Sequence, residues 1–261
     1  MTTTYPPLTP SGKGALITER RVTDLSVDET RELIARHQWL VFKDNPVSLT
    51  EVEGFLRQFG TLVENDRRRG AVLELDASKK DEGEVLLGQG FLPLHRDGAL
   101  MGYDIELVGI YCVLHKNVTG GRTFVTDIEN GCTEIPQDIL DLIRERGIEG
   151  RPVDRYYLKG ADTWHKIAGY IEVDGKSYLN VGFPSPPGEK PSWLLRIPGV
   201  DDARCQEIFE IMGRILMSDR YCYYHVWDEG DLILLDNRRL LHGREAFRGE
   251  RALANLQVRA A

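Results

Sequence analysis

Short apolar runs recur along this chain about every 8–15 residues, each closed by a turn signal, and that spacing most restricts the fold. The clearest is Leu232-Ile233-Leu234-Leu235, opened by Glu229-Gly230-Asp231 and stopped by Asp236-Asn237-Arg238-Arg239. Four consecutive apolar residues between turns read as a short strand buried on both faces. Residues 14–18, 39–43, 71–75, 107–114, 122–126 and 221–227 have the same character. Residues 164–173 and 177–181 flank Asp174-Gly175, a hairpin signal.

A few helices interrupt the strands. Ser26 reads as an N-cap, and Ser48-Leu49-Thr50-Glu51 as a capping box before a helix over 52–59, which Gly60 ends. Pro136 starts a helix with Ile139, Leu140, Leu142 and Ile143 along one face, and Gly147 closes it. Residues 201–217 are helical by the spacing of Cys205, Ile208, Phe209, Met212 and Leu216. Residues 76–84 form a charged loop, and four prolines make 183–193 another. The expectation is a mainly β protein with flanking helices, an antiparallel double-sheet barrel. It forms a single domain over 1–261 whose first 13 residues are irregular.

With 41% hydrophobic residues the chain has material for a sizeable core. A net charge of -8 argues against nucleic acid or an anionic membrane as the main partner. No apolar run approaches the ~20 residues of a spanning helix, and the N-terminus lacks signal-peptide character. Cys112, Cys132, Cys205 and Cys222 show no C-x-x-C spacing. Reduced, half-buried thiols in a cytoplasmic protein are expected.

His95-Arg96-Asp97 at a strand end places an imidazole and a carboxylate on one face, because strand side chains alternate. A distant second imidazole would complete two His and one carboxylate on one face of an octahedron, the ligand set of non-haem Fe(II) oxygenases. With 6 His and 41 acidic residues, about one H-x-[DE] arises by chance, so the motif counts only in context. His242, read alone, is a histidine satisfied by a backbone carbonyl. Its context is the preceding strand, a strand start at Gly120-Gly121-Arg122-Thr123, and Arg251 downstream.

Taken together, His95-Arg96-Asp97, Gly120-Gly121-Arg122-Thr123, the 230–237 strand, His242 and Arg251 resemble the taurine/2-oxoglutarate dioxygenase (TauD) superfamily. Within it, residues 71–75, Pro93-Leu94-His95-Arg96-Asp97-Gly98 and Leu241-His242-Gly243-Arg244-Glu245-Ala246-Phe247 resemble the PvcB-type isonitrile oxygenases. The resemblance spans most of 15–258. It implies a double-stranded β-helix (jelly roll, cupin-like) and Fe(II) bound by His95, Asp97 and His242. The cosubstrates would be O2 and 2-oxoglutarate, whose far carboxylate Arg251 and Thr123 would hold; an arginine fork suits bidentate carboxylate recognition. The superfamily often carries a second arginine where this chain has Asn255, so anchoring would concentrate on Arg251.

The activity implied is desaturation at Cα–Cβ of an aromatic amino-acid isonitrile, tyrosine isonitrile first, with or without decarboxylation. Asp97 argues against halogenation, since halogenating relatives have a small residue there. The alternative is hydroxylation of a free amino acid or other small acid. A non-catalytic jelly-roll binding protein would have lost a ligand, and all three are present. For the substrate carboxylate, Arg96, Lys159, His165 and Arg244 are candidate cations. Tyr103, Tyr156, Tyr157, Trp164, Phe183 and Trp193 are candidate pocket aromatics. Arg244, Tyr103, Lys159 and His165 form the substrate-binding set carried forward. Asp236 and Asn237 are expected to fix the loop that aims His242, and His115 and His225 to be structural. A small-molecule substrate is the partner implied, and a homodimer stays open.

Overall fold

Both predicted serine caps form. Ser26 accepts the Glu29 amide and opens α1 (Val27–His37). Ser48 and Glu51 make the reciprocal capping box, so α2 (Leu49–Leu56) starts earlier than the apolar pattern alone suggests. The other helices are α3 (Ile128–Gly131), α4 (Gln137–Arg146), with Pro136 as its cap and Gly147 beyond its end, and α5 (Asp202–Leu216), capped by Asp201. The computed structural model describes residues 5–64, 70–76, 88–153 and 163–259.

Sixteen strands occur among the described residues. The first five are β1 (Ala15–Ile17), β2 (Trp39–Phe42), β3 (Thr61–Leu62), β4 (Leu73–Asp76) and β5 (Leu92–His95). Then come β6 (Leu107–Gly120), β7 (Thr123–Asp127), β8 (Ile148–Pro152), β9 (His165–Ile167), β10 (Tyr170–Val173) and β11 (Lys176–Leu179). The last are β12 (Trp193–Arg196), β13 (Cys222–His225), β14 (Leu232–Asp236), β15 (Leu240–Arg244) and β16 (Phe247–Arg259).

Two sheets form the barrel. The larger runs β1-β2-β14-β6-β16-β3, with β4 also on β16, and the smaller runs β13-β7-β15-β5. Only the β1–β2 pair among these is parallel. Ile110, Ile233, Leu235 and Leu253 from one inner face meet Val125 and Leu240 from the other. Outside the larger sheet, Leu40, Phe42, Leu232 and Leu234 pack under α1 and α2. Outside the smaller one, Leu94, Phe124 and Leu241 pack under α4 and α5. The residues of β14 alternate between inner and outer clusters, which is why four apolar residues stand in a row. The double-sheet barrel read from the spacing is observed, in the jelly-roll form that the resemblance implied.

Three local expectations change. The 164–173 run is divided: β9 joins a three-stranded sheet, order β12-β8-β9, while β10 pairs with β11 across Asp174 and Gly175, both at positive φ. Gly169 lies at the division, where a Cβ would come within 2.3 Å of the Ile143 carbonyl oxygen. Trp193, expected at the end of a loop, opens β12, and β8 was not anticipated. Finally, β6 continues to Gly120 rather than stopping at 114, because β16 pairs along its whole length through two register shifts. The charged loop expected at 76–84 lies, beyond Asp76, outside the described residues.

Candidate metal centre and active site

Strand pairing assembles the site. β5 and β15 are neighbours, with His95 directly opposite His242 and the two rings 4.5 Å apart between centroids. His242, expected to project past a strand end, lies within β15. It shares its inward face with Leu240 and Arg244, opposite Val125 and Thr123 of β7.

His95 Nδ1 lies 2.9 Å from the Pro93 carbonyl oxygen, which fixes its proton there and turns the Nε2 lone pair inward. That Nε2 is 3.2 Å from Asp97 Oδ1, and His242 Nε2 is 3.8 Å from the same oxygen. One ligand atom from each residue lies within 4.8 Å of the others. Adjacent ligands on a shared octahedral ion stand about 3 Å apart, so the set needs little adjustment to hold one. Burial, then the neighbouring His95, pushes the His242 pKa down to about 4, leaving it neutral with a lone pair to offer. For Asp97, burial works upward, but the two imidazole rings that face it and the Gln257 amide outweigh it. Its carboxyl stays well below the usual carboxylate range.

Asp97 is gripped from behind. Its Oδ2 accepts Gln257 Nε2 at 2.7 Å and Asn255 Nδ2 at 3.3 Å. Its backbone N–H donates to Asn237 Oδ1 at 3.0 Å, while Asn237 Nδ2 donates to the Asp97 and Ile105 carbonyls. Asn237, expected to aim His242, instead anchors the segment that carries Asp97. Asn255 replaces the superfamily's second arginine with a donor to the carboxylate ligand itself. Gln257 was not foreseen, although Arg251, Leu253, Asn255 and Gln257 follow the period-two step of one inward strand face.

Arg251 is 1% exposed. Its Nη1 donates to the Gly121 carbonyl at 2.6 Å, and its guanidinium lies 4.0 Å from the centre of the Phe247 ring. Nε and Nη2 are buried without a hydrogen-bond partner among the described residues. Burial, then the charge of Arg244, lowers the Arg251 pKa to about 9. Thr123 Oγ1 accepts the Trp227 indole N–H at 3.0 Å. Because that indole only donates, the Thr123 hydroxyl proton must point elsewhere. A buried cation with an open fork fits a carboxylate ligand, and the three neutral or anionic donors fit a divalent metal.

Beside the metal ligands a narrow cleft opens. Its far wall is Leu100, Ile167, Val181, Gly182, Trp193 and Leu195. Trp193, a predicted pocket aromatic, is there. Phe183 instead packs on Phe209, and Trp164 lies against Arg196. Arg96 borders the cleft, yet it is buried with Nη1 3.6 Å from Asp104.

The substrate set of Arg244, Tyr103, Lys159 and His165 does not converge. Tyr103 is 44% exposed with Arg259 over its ring, outside the cleft lining. Arg244 donates to the Gly90 carbonyl at 2.9 Å and faces Arg251. His165 is exposed but shares a rung with Gly150 and Leu195, on the cleft side of its sheet. Lys159, Tyr156 and Tyr157 lie outside the described residues. His225 is structural as expected, with Nε2 3.0 Å from Asp231.

The jelly roll with two His and one carboxylate on its inner face is the architecture of a dioxygenase class, and residues 5–257 match the family described as "Taurine catabolism dioxygenase TauD, TfdA family". The chain belongs to that family and is a dioxygenase. It is 26% identical to the tyrosine isonitrile desaturase of Erwinia amylovora over 237 residues, 87% of this chain and 78% of that one. The Pseudomonas aeruginosa tyrosine isonitrile desaturase is 27% identical over 201 residues, 73% and 67% of the two chains. The solved structure of PvcB from Pseudomonas aeruginosa, an Fe, alpha-ketoglutarate dependent oxygenase from an isonitrile synthetic pathway, shares the fold. Its TM-score is 0.72 at 22% identity, covering 95% of this chain and 86% of that one. No helix among the described residues is long and apolar enough to cross a membrane.

Proposed function

We propose that this chain is an Fe(II)- and 2-oxoglutarate-dependent oxygenase that desaturates an aromatic amino-acid isonitrile, tyrosine isonitrile first, at its Cα–Cβ bond. The observation that carries the reading is the pairing of the Arg251 fork, buried with two open nitrogens, with His95, Asp97 and His242 beside an apolar cleft. The tyrosine isonitrile desaturases among the relatives support the substrate class.

His95, Asp97 and His242 would hold the iron through two Nε2 atoms and Oδ1. Iron held this way, supplied with 2-oxoglutarate and O2, provides the oxidising power to remove substrate hydrogen. The balance is two hydrogens lost from the substrate, one O2 and one 2-oxoglutarate consumed, and succinate, CO2 and water formed. Arg251 and the Thr123 hydroxyl would take the far carboxylate of 2-oxoglutarate, and Arg244, facing Arg251, is assigned to that side too. Trp227 keeps the Thr123 hydroxyl in its donor orientation. The Gln257 and Asn255 amides hold Oδ2 of Asp97, so that Oδ1 stays directed at the metal. Asp97 fills the position that chloride would need, which speaks against halogenation. The cleft wall excludes water from the reacting face, and His165 at its rim is the substrate contact we retain for a carboxylate.

The test is succinate release and product mass with tyrosine isonitrile, Fe(II) and 2-oxoglutarate. A product lighter by two hydrogens, or by two hydrogens and CO2, is expected. Equal turnover of tyrosine itself, or a product heavier by one oxygen, would overturn the reading.

A further inference from the structure

Gly182 lines the cleft, yet nothing in its backbone calls for a glycine. Gly98, also in the lining, sits at φ +83°, and Gly150 behind the wall would place a Cβ 2.3 Å from Leu100. At Gly182 φ is not in the left-handed range. The nearest atoms a Cβ there would meet are Trp193 Nε1 at 3.6 Å, Leu195 Cδ1 at 3.7 Å and Trp193 Cε2 at 3.9 Å, ordinary van der Waals contact. Glycine loses more conformational freedom on folding than alanine would at such a position. The empty side-chain position therefore has no use to the fold, and it has a use to the cleft.

The space it leaves lies next to the metal ligands. The following amide, Phe183 N–H, donates to the Leu94 carbonyl at 2.9 Å, which ties this segment alongside the end of β5 at His95. The Trp193 ring is 2% exposed and its centroid is 5.5 Å from that of His95. Its only polar group already donates to the Phe183 carbonyl at 2.8 Å, so it offers a ligand hydrocarbon surface alone. Val181, Ile167 and Leu195 complete an apolar surround. A flat ring gains from an aromatic neighbour and from apolar walls, and it needs width that a side chain at 182 would remove.

We infer that Gly182 is the residue that sets substrate size in this cleft, leaving against Trp193 a slot that admits an aryl group beside the metal. The inference deepens the proposed function, on which it rests only for the name of the ring-bearing substrate.

The test uses p-cresol, a bare aryl fragment without the isonitrile. Protein loaded with Mn(II) and N-oxalylglycine relaxes the ring protons of a ligand held near the metal. Wild type should give a saturable enhancement with p-cresol and with the wider 2-naphthol. G182L should reduce both at least tenfold at unchanged Mn(II) affinity. G182A adds one methyl group to a position that accepts it, so it should melt no lower than wild type, keep p-cresol and lose 2-naphthol. Should G182L fail to fold, the G182A discrimination between the two rings decides. No enhancement in wild type at millimolar p-cresol, or equal enhancement in all variants, would overturn the inference. A wild type that holds p-cresol by the metal but turns over no aryl isonitrile refutes the proposed function and leaves the slot standing.

Discussion

Replacing Arg251 by methionine separates what the guanidinium costs the fold from what it does for the cosubstrate. In the ligand-free protein this cation is buried with the Gly121 carbonyl and the Phe247 ring against it, while two of its nitrogens meet no acceptor among the described residues. Its pKa falls from 12.5 to about 9, chiefly through burial. At about 1.4 kcal/mol per pKa unit, that fall places an upper bound of ~5 kcal/mol on the destabilisation of the folded state. Methionine keeps most of the packing of the stem. It forfeits the cation–ring contact, ~1 kcal/mol, and leaves a buried carbonyl without its donor, ~2 kcal/mol.

The net expectation is an R251M protein more stable than wild type by ~2 kcal/mol, about 4–8 °C in Tm for a chain of this length. The sign with pH follows from a base whose folded pKa is depressed. Its destabilisation is fully present below about 9 and is relieved only toward 12.5, so the gap between the two proteins is flat from about pH 6 to 8. Saturating 2-oxoglutarate reverses the order, since ligand at a hundred times Kd stabilises wild type by ~2.7 kcal/mol and the variant hardly at all. Thermal melts of both proteins with Mn(II), with and without 2-oxoglutarate, read all of this. A variant that is less stable than wild type without cosubstrate, or equally stabilised by it, would refute the claim of an uncompensated cation.

Trp227→Phe removes the donor that Thr123 accepts and lets its hydroxyl turn. The Kd of 2-oxoglutarate by calorimetry should rise about 2–10-fold with Mn(II) binding unchanged, and an unaltered Kd would place Thr123 outside the cosubstrate site. Gln257→Leu takes away the 2.7 Å donor on Asp97 Oδ2. Metal affinity measured by chelator competition should fall about tenfold or more, and full affinity would show that the amide grip is dispensable. In metal-free protein, folded His242 stays neutral down to about pH 4, whereas the unfolded chain takes up its proton near 6.5. Wild type should therefore lose up to ~3 kcal/mol relative to His242→Gln as pH falls through that window; parallel stability curves would exclude it.

Much of the barrel was legible because burial on both faces leaves a local signature. Leu232-Ile233-Leu234-Leu235 alternates between two cores and shows as an unbroken apolar run. His95 and Asp97 were legible as a same-face pair, and the resemblance supplied His242. What pairs across a sheet was not. The register that sets His95 against His242 depends on strands about 150 residues apart in sequence. β8 and β12 carry charged or mixed residues and are held by pairing with each other, so no periodicity announces them. Polar inward residues such as Gln257 and Asn237 look like surface residues until their acceptors, distant in sequence, are known.

The cleft wall built on β8, β9 and β12 belongs to a sheet with no strand pairing to either barrel sheet among the described residues. Every metal ligand and every cosubstrate group, by contrast, lies on or beside barrel strands. A substitution in the wall thus leaves the register of the ligand strands untouched. Selection can retune which molecules enter while the oxidising apparatus stays fixed, and a library confined to Ile167, Trp193 and Leu195 should yield altered substrate range far more often than lost metal.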